Sequence, residues 1–313
     1  MLVVVIGCGQ QEERPLLQVK VLYPAGGLGD RSYSDALYEG LVRASLETEF
    51  TLTDATPQDV TEAVSIFEGW TEGEVKEPEL LLALGNLPGA TCRFGGRHVV
   101  ILDSAKIPCP NLKTIEYRVF APSFLAGVAA MAVAPQKTAS ILAGMDLPVV
   151  STFVRGFSAG VEYAGGNILA VEYLAETEAG FSDPEKARTV AERLYLATEV
   201  VFPVAGGSGM GVFEAAKAAK GRYTFGMDVD QAWLGRGIII GSVVKRFDTT
   251  VMQVIRDEEA GKFHAGALSL GMVEEATLLV LNERYAEQVK ATLEAARDMA
   301  LSAEATDLAA HLP

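Results

Sequence analysis

The chain has few residues of the kinds that hold metal ions. Its 313 residues include three cysteines and three histidines. The cysteines form no CxxC pair and no histidine stands at ligand spacing beside them, so we predict no metal site. Cys92 and Cys109 are expected to be buried thiols. A single bridge between them is the alternative if the compartment is oxidising.

Positive charge is also scarce. The chain carries 26 Lys and Arg against 41 Asp and Glu, for a net charge of −15 at pH 7. Such a surface repels nucleic acid and anionic lipid rather than recruiting them. We therefore expect no nucleic-acid partner, and contact with a membrane only through a covalent anchor.

Motifs that mark common enzymes are missing. There is no G-x-S-x-G nucleophile motif, and the phosphate-loop pattern fails because Gly211 is followed by Val-Phe-Glu. His98 opens an apolar strand, His264 lies in a loop and His311 lies in the tail, so structural or solvated roles are expected for all three. We predict that the protein is not an enzyme, with no catalytic residues and no catalytic cofactor.

The N-terminus carries a short apolar run that ends in a cysteine. Val5-Ile6-Gly7-Cys8 resembles the bacterial lipoprotein signal, in which the cysteine receives a lipid and becomes the mature N-terminus. Residues 1–16 are accordingly predicted to be a signal remnant and tether, with Cys8 as the lipidation site. The alternative is an ordinary first strand that ends in a chance cysteine. No other segment has the roughly 20 unbroken apolar residues of a membrane span.

Short apolar runs alternate with helical patterns along most of the chain, which predicts α/β architecture with doubly wound parallel sheets. Apolar residues at three- and four-residue spacing predict amphipathic helices over 34–49 and 183–199. One set of strands and helices precedes residue 122 and a second follows it. The predicted strands are 19–25, 49–54, 79–85, 98–103, 139–144, 168–174, 200–205, 222–228 and 237–244.

Ligands of open α/β sheets bind at the carboxyl ends of the strands, so the loops at those ends are the candidate site. The segment 201–217, VFPVAGGSGMGVFEAAK, reads as a strand, a glycine loop and a helix N-terminus whose free N–H groups suit phosphates, carboxylates or hydroxyls. The other loops of this kind are 24–35, 102–108 with Asp103, 143–148, 226–233 and 243–248.

Six motifs resemble, in order, those of the basic-membrane-protein family, the PnrA-like solute-binding lipoproteins of nucleoside-type ABC importers. They are GGLGDRSYSDALYEGL, AGMDLPVVSTFVRGFSAGVEY, FSDPEKA, VFPVAGGSGMGVFEAAK, FGMDVDQ and SVVKRFDTTV. The resemblance implies a type I periplasmic-binding-protein fold, with two lobes joined by three crossings around an interlobe cleft. It places residues 17–122 and 246–275 in the first lobe, and 123–245 and 276–313 in the second.

The resemblance also implies a role and partners. We expect a monomer on the outer side of a bacterial cell membrane, held there by its lipid, that captures a small molecule and delivers it to an ABC permease and its ATPase. A transcription regulator of the same fold is disfavoured by the acidic charge and by the lack of an N-terminal helix-turn-helix. A signalling receptor stays an alternative.

Family members that bind nucleosides hold the base between two aromatic rings. By resemblance those rings are Tyr33 and Phe202, although each could instead be core. Asp228 corresponds to the acid that takes sugar hydroxyls, and Lys245 to the lysine of the KR motif. The predicted ligand-binding residues are Tyr33, Ser34, Asp103, Phe202, Gly206, Gly207, Asp228, Trp233 and Lys245.

Departures from the family pattern bear on the ligand. Pro24 stands where nucleoside binders have an aspartate, Ser34 replaces the motif asparagine, and Ala121-Pro122 replaces an acidic residue. Losing groups that read base edges disfavours a purine, because buried unpaired polar groups cost about 1–3 kcal/mol each. Trp233 adds a large ring near the site, although it could equally pack on a helix. We therefore predict riboflavin as the bound ligand, with a purine nucleoside as the alternative.

Overall fold

The computed structural model describes residues 15–85 and 92–311, so Cys8 and the predicted signal lie outside the described residues. Two six-stranded sheets organise it. Sheet A has the order β11-β5-β4-β3-β1-β2, and sheet B has the order β12-β10-β9-β8-β6-β7. All described strand pairs are parallel except β10 with β12, which is antiparallel.

The strands have the following bounds: β1 Leu17–Leu22, β2 Phe50–Ala55, β3 Glu79–Leu84, β4 His98–Leu102, β5 Leu112–Tyr117, β6 Thr138–Ala143, β7 Asn167–Tyr173, β8 Val200–Val204, β9 Tyr223–Asp228, β10 Ile239–Lys245, β11 Gly266–Leu270 and β12 Thr277–Leu281. The helices are α1 Tyr33–Ser45, α2 Val60–Thr71, α3 Phe120–Val133, α4 Pro148–Tyr163, α5 Pro184–Leu194, α6 Gly209–Ala218, α7 Phe247–Glu259 and α8 Glu283–His311. One-turn 3₁₀ helices lie at Glu178–Phe181, Gly206–Ser208 and Ala232–Leu234.

The central strands are apolar on both faces because helices cover both sides of each sheet. In β3, for example, every residue after Glu79 is buried. Continuous apolar runs of this length are typical of parallel strands between helical layers. The nine predicted strands each overlap an observed strand, whereas β5, β11 and β12 were not predicted.

Side-chain caps mark where two of the helices, α5 and α2, begin. Asp183 is the N-cap of α5, its side chain accepts the Lys186 N–H at 2.9 Å, and Pro184 occupies the first turn. Asp59 caps α2 in the same way through the N–H of Glu62. These caps satisfy N–H groups that a helix leaves without an internal partner.

The second lobe is built on a close contact between α3 and α4. A methyl group at Gly160 would lie 1.9 Å from the Phe124 carbonyl oxygen, and one at Gly127 would lie 2.3 Å from that of Phe157. Only glycine permits the two backbones to approach so closely. The predicted lobe boundary at 122 lies within α3, whose residues Phe120 and Ala121 pack against residues of α8.

The chain passes between the sheets at three places. β5 of sheet A leads into α3, β10 of sheet B leads into α7, and β11 leads into β12. α7 packs beside α1 on the first lobe, where Val251 approaches Gly40. The chain therefore crosses between the two sheets three times.

The described residues contain a disulfide bridge and no membrane-spanning helix. Cys92 and Cys109 form a disulfide, with Cα atoms 5.4 Å apart. The expectation of two buried thiols is therefore wrong, and the alternative of a single bridge is observed. Within residues 15–85 and 92–311, no helix is both long and apolar enough to span a membrane.

Candidate functional site

A cleft of about 1500 Å³ lies between the two sheets. It is lined by loops at the carboxyl ends of strands of both sheets, where parallel sheets place their ligands. Seven of the nine predicted ligand-binding residues line it, namely Tyr33, Ser34, Asp103, Gly206, Gly207, Asp228 and Lys245.

A buried charge cluster lies in the cleft. Lys245 ends β10, Asp228 ends β9 and Asp103 follows β4. The Nζ of Lys245 lies 2.6 Å from Asp103 Oδ2 and 3.6 Å from Asp228 Oδ1. The side chains of Lys245 and Asp103 are each 3% exposed, so this cluster is shielded from water on most sides.

The cluster shifts the pKa values of Lys245 and Asp228. Burial alone lowers the pKa of the Lys245 amine, but the Asp103 and Asp228 carboxylates outweigh it and raise that pKa above the ordinary value. Burial raises the pKa of Asp228, and the opposing effects of Lys245 and Ser32 only partly reverse it. Lys245 is therefore a cation at neutral pH, and burial makes the ionisation of Asp228 costly.

Tyr33, the first residue of α1, joins the cluster. Its hydroxyl donates to Asp103 Oδ2 at 2.9 Å, and its ring lies 5.0 Å from the Lys245 Nζ. Burial raises the pKa of this phenol, and the neighbouring Asp103 raises it further. The rings of Tyr33 and Phe247 also pack in a T-shaped arrangement with their centres 5.6 Å apart, which holds the Tyr33 ring in place at the cleft.

The start of α1 is held by two carboxylates. Asp30 accepts the N–H groups of Ser32 at 2.9 Å and Ser34 at 2.8 Å, and Asp35 accepts those of Gly29 and Arg31. Burial raises the pKa of Asp30, although these N–H groups act against it. These hydrogen bonds hold the loop before α1 and the first turn of the helix, which carries Ser34.

The glycine loop after β8 approaches the first lobe. Gly206 has φ of +51°, a conformation that glycine adopts without strain. A methyl group on Gly207 would lie 3.5 Å from the Asp30 side chain of the other lobe. Ser208 secures the loop by donating to the Gly180 carbonyl and accepting the Asp183 N–H, each at 2.8 Å. The predicted strand, loop and helix over 201–217 are all observed.

Two predicted residues lie elsewhere. Phe202 is fully buried and stacks on Phe157 with ring centres 4.1 Å apart, because β8 is a central strand covered on both faces. Trp233 lies on a one-turn helix, is 64% exposed and is not among the residues that line the cleft. The placement of both rings at the cleft was therefore wrong.

Other rings line the cleft instead, and the prediction missed them. Phe153 of α4 lies with its ring 5.2 Å from the Lys245 Nζ, and Phe181 packs beside the glycine loop. Both stand inside motifs that carry the family resemblance, which was the available signal. Pro24 lines the cleft, but Ala121 and Pro122 are buried in α3 away from it. The departure at those two positions therefore lies outside the cleft lining.

Sequence comparison finds relatives among the substrate-binding proteins of ABC transporters. The family model described as ABC transporter substrate-binding protein PnrA-like matches residues 98–298, more than half of the chain. Basic membrane protein D of Borreliella burgdorferi is 33% identical over 58% of this chain and 54% of its own length. The ABC transporter nucleoside-binding protein BmpA of Lactococcus lactis is 26% identical, over 80% of this chain and 78% of its own.

Structural comparison agrees. A solute-binding protein of an ABC transporter system from Aeropyrum pernix superposes with a TM-score of 0.77 at 27% identity, covering 93% of this chain and 86% of that one. A periplasmic solute-binding protein from Actinobacillus succinogenes, solved with D-allose, shares the fold with a TM-score of 0.66 at 14% identity, over 86% and 99% of the two chains. The predicted type I periplasmic-binding-protein fold is confirmed, and the chain belongs to the PnrA-like family of ABC transporter substrate-binding proteins.

Proposed function

We propose that the protein captures a nucleoside in its interlobe cleft and delivers it to an ABC importer. The observation that carries this proposal is the buried cluster of Asp103, Lys245 and Asp228 at the cleft. Carboxylate oxygens accept hydrogen bonds from sugar hydroxyls, and an ammonium group donates to hydroxyl oxygens. The Lactococcus lactis relative, named as nucleoside-binding, supports the same ligand class.

The rings at the cleft support a planar base as the other half of the ligand. Tyr33, Phe153 and Phe181 line the cavity together with apolar residues. Aromatic contacts contribute roughly 0.5–1.5 kcal/mol beyond the burial of apolar area. A ligand with a hydroxylated sugar at the charged cluster and a flat base among these rings would match both parts of the cleft.

Charge favours a nucleoside over a nucleotide. Carboxylates at the cleft outnumber cations, since Arg31 and Lys245 are the basic residues among its described lining. The acidic residues there are Asp30, Asp59, Asp103, Glu176, Glu178 and Asp228. An added phosphate would bring two negative charges near these carboxylates, which disfavours binding.

Riboflavin is the second candidate. Pro24 places no side-chain hydrogen-bonding group at the end of β1, and a cleft of about 1500 Å³ has room for a tricyclic ring with a polyhydroxyl tail. The support for riboflavin is limited, because two of the three rings that the sequence offers for stacking on it, Phe202 and Trp233, do not line the cleft.

Placement outside the cytoplasm is part of the proposal. The relative from Pyrococcus furiosus, 28% identical over 86% of this chain and 72% of its own length, is named as a lipoprotein. We propose lipidation at Cys8 and docking of the ligand-bound form on a membrane permease with its ATPase. Closure of the two lobes around the ligand would supply the conformational signal.

Isothermal titration calorimetry tests the ligand class. Purified protein, unfolded and refolded to remove carried-over ligand, is titrated with adenosine, guanosine, uridine, AMP, ribose and riboflavin. We expect micromolar or tighter binding of at least one nucleoside, and at least tenfold weaker binding of AMP than of adenosine. Asp228→Asn should weaken nucleoside binding, while the exposed control Trp233→Ala should not. Binding of riboflavin alone would replace the proposal with the second candidate, and binding of none would overturn both.

A further inference from the structure

Ser32 lies at the N-cap position of α1 but does not cap that helix. A serine at this position ordinarily accepts a hydrogen bond from an N–H of the first turn. Here its side chain makes no capping bond. The Asp30 carboxylate accepts the N–H groups of Ser34 and Asp35 instead, at 2.8 and 3.2 Å. The Ser32 hydroxyl, which is fully buried, is therefore available for another partner.

That partner is on the other sheet. Ser32 Oγ lies 2.7 Å from Asp228 Oδ2 and 3.2 Å from the Met227 carbonyl oxygen. A hydroxyl has one hydrogen to donate, and the shorter bond to a charged acceptor is the stronger one. Ser32 precedes the first helix of the first lobe, and Asp228 ends β9 in the second. The bond therefore connects the two lobes at the cleft.

The Asp228 side chain projects from a strained backbone and is held by hydrogen-bonding and charged partners. Its backbone has φ of +65°, in the left-handed region that residues other than glycine adopt at a cost. Its Oδ2 is occupied by Ser32, while Oδ1 lies 3.6 Å from the Lys245 Nζ. Oδ1 is thus the oxygen with hydrogen-bonding capacity left for a ligand.

We propose that Ser32 is a positioning residue of the binding site, which orients the Asp228 carboxylate through Oδ2 and leaves Oδ1 for the ligand. The role of Asp228 as a ligand acceptor rests on the proposed function, but the orientation and ionisation of its carboxylate do not. Because Ser32 belongs to the first lobe, the same bond links the geometry of that acceptor to the relative position of the lobes.

The electrostatic surroundings give a measurable consequence. Burial is the largest influence on Asp228 and raises its pKa; Lys245 and the Ser32 hydroxyl lower it. Removing the hydroxyl takes away one group that stabilises the ionised form. The titratable groups that face Asp228 are Lys245 on β10, Asp103 after β4, Asp30 before α1 and Tyr33 on α1.

Carbon-13 NMR of the ligand-free protein tests this directly. The Asp228 carboxyl signal is identified by its loss in Asp228→Asn, and its titration is followed with pH. We expect Ser32→Ala to move the pKa of Asp228 upward, and Ser32→Thr, which keeps the hydroxyl, to restore it. Ser45→Ala removes an exposed hydroxyl from the other end of α1 and should leave it unchanged. An unchanged pKa in Ser32→Ala overturns the inference, whether or not a nucleoside binds.

Adenosine titrations form the second arm. Ser32→Ala should weaken binding about tenfold at pH 7, as expected for a lost hydrogen bond to a charged group. In the Asp228→Asn background the same change should alter the dissociation constant less than about twofold, because Ser32 acts through Asp228. An equal loss in both backgrounds overturns the positioning role. A wild-type protein that binds neither adenosine nor another nucleoside contradicts the proposed function, and the NMR titration then decides on Ser32 alone.

Discussion

Lys245 and Asp103 form an ion pair 2.6 Å long that is almost closed to solvent. Lys245 stands at the end of β10, immediately before one crossing between the lobes, and Asp103 follows β4 of sheet A. A pair of this kind does two things. It satisfies charges that would be costly to bury alone, and it presents polar groups to the cleft at the place where the lobes meet.

Removing the cation should be strongly destabilising. Lys245→Met leaves both Asp103 and Asp228 without their cation in a buried setting, and breaking a buried pair by removing one partner costs about 3–5 kcal/mol. The free energy of unfolding, measured with urea and circular dichroism, should fall by that amount. Lys217→Met is the matched control, because its ion pair with Glu214 is exposed and should contribute less than about 1 kcal/mol. Equal losses in the two variants would contradict this account.

Replacing Asp228, unlike replacing Lys245, should stabilise the protein at neutral pH. Burial holds its folded-state pKa above the ordinary value, so its contribution to stability is present below about pH 4 and is lost as the pH rises through the raised pKa. Above that raised pKa the ionised group therefore costs stability. Asp228→Asn removes the charge, and asparagine tolerates the left-handed backbone at this position. We therefore expect the free energy of unfolding at pH 7 to rise by about 0.5–1 kcal/mol in this variant.

Asp248 is the matched comparison, because its pKa is shifted in the opposite direction from that of Asp228. Burial acts to raise its pKa, but the hydrogen bond from Arg246 and other favourable contacts outweigh burial and lower it. Its stabilising contribution is present above about pH 4 and is lost as the pH falls through the lowered pKa. Asp248→Asn should therefore be less stable than the wild type at pH 7. Urea unfolding of both variants at pH 7 checks the two signs, and a loss of stability in Asp228→Asn would contradict the first.

The charged residues of the site could be predicted, whereas the direction of its rings could not. Asp103, Asp228 and Lys245 follow or end apolar strands, and the carboxyl ends of parallel strands meet at one edge. Phe202 stands in a strand that is apolar on both faces, so alternation does not tell which face its ring takes. The ring points into the layer beneath α4, where Phe157 stacks on it.

Two of the three strands that the prediction missed, β5 and β11, share a physical cause. β5 carries Lys113 and Glu116 within six residues, and β11 is largely exposed at the edge of sheet A. Neither has the apolar pattern that identifies a strand locally. The two strands pair with each other, Gly266 to Leu270 against Lys113 to Tyr117, across about 150 residues of sequence. Such pairing leaves little trace in local sequence.

The disulfide is expected to support both stability and the cleft. Cys92 and Cys109 are 17 residues apart, and closing a loop of about this length stabilises a protein by about 3 kcal/mol. Dithiothreitol should lower the melting temperature of the wild type and leave that of a Cys92→Ser/Cys109→Ser variant unchanged. Because Ile107, two residues from Cys109, lines the cleft, reduction should also weaken ligand binding. A melting temperature insensitive to reduction would show that the bridge is absent or without effect.

The two rings placed away from the cleft give the last prediction. Phe202→Ala empties a fully buried site between Phe157 and Phe225, which should cost about 3–5 kcal/mol of unfolding free energy. Trp233→Ala removes an exposed ring and should change stability by less than about 0.5 kcal/mol. Ligand affinity per folded molecule should be unchanged in Trp233→Ala and should fall in Phe153→Ala, because Phe153 lies at the cleft beside Lys245. A tenfold loss of affinity in Trp233→Ala would contradict this prediction. It would indicate that the Trp233 ring contacts the ligand in the bound state, which requires the 230–236 loop to move when the lobes close.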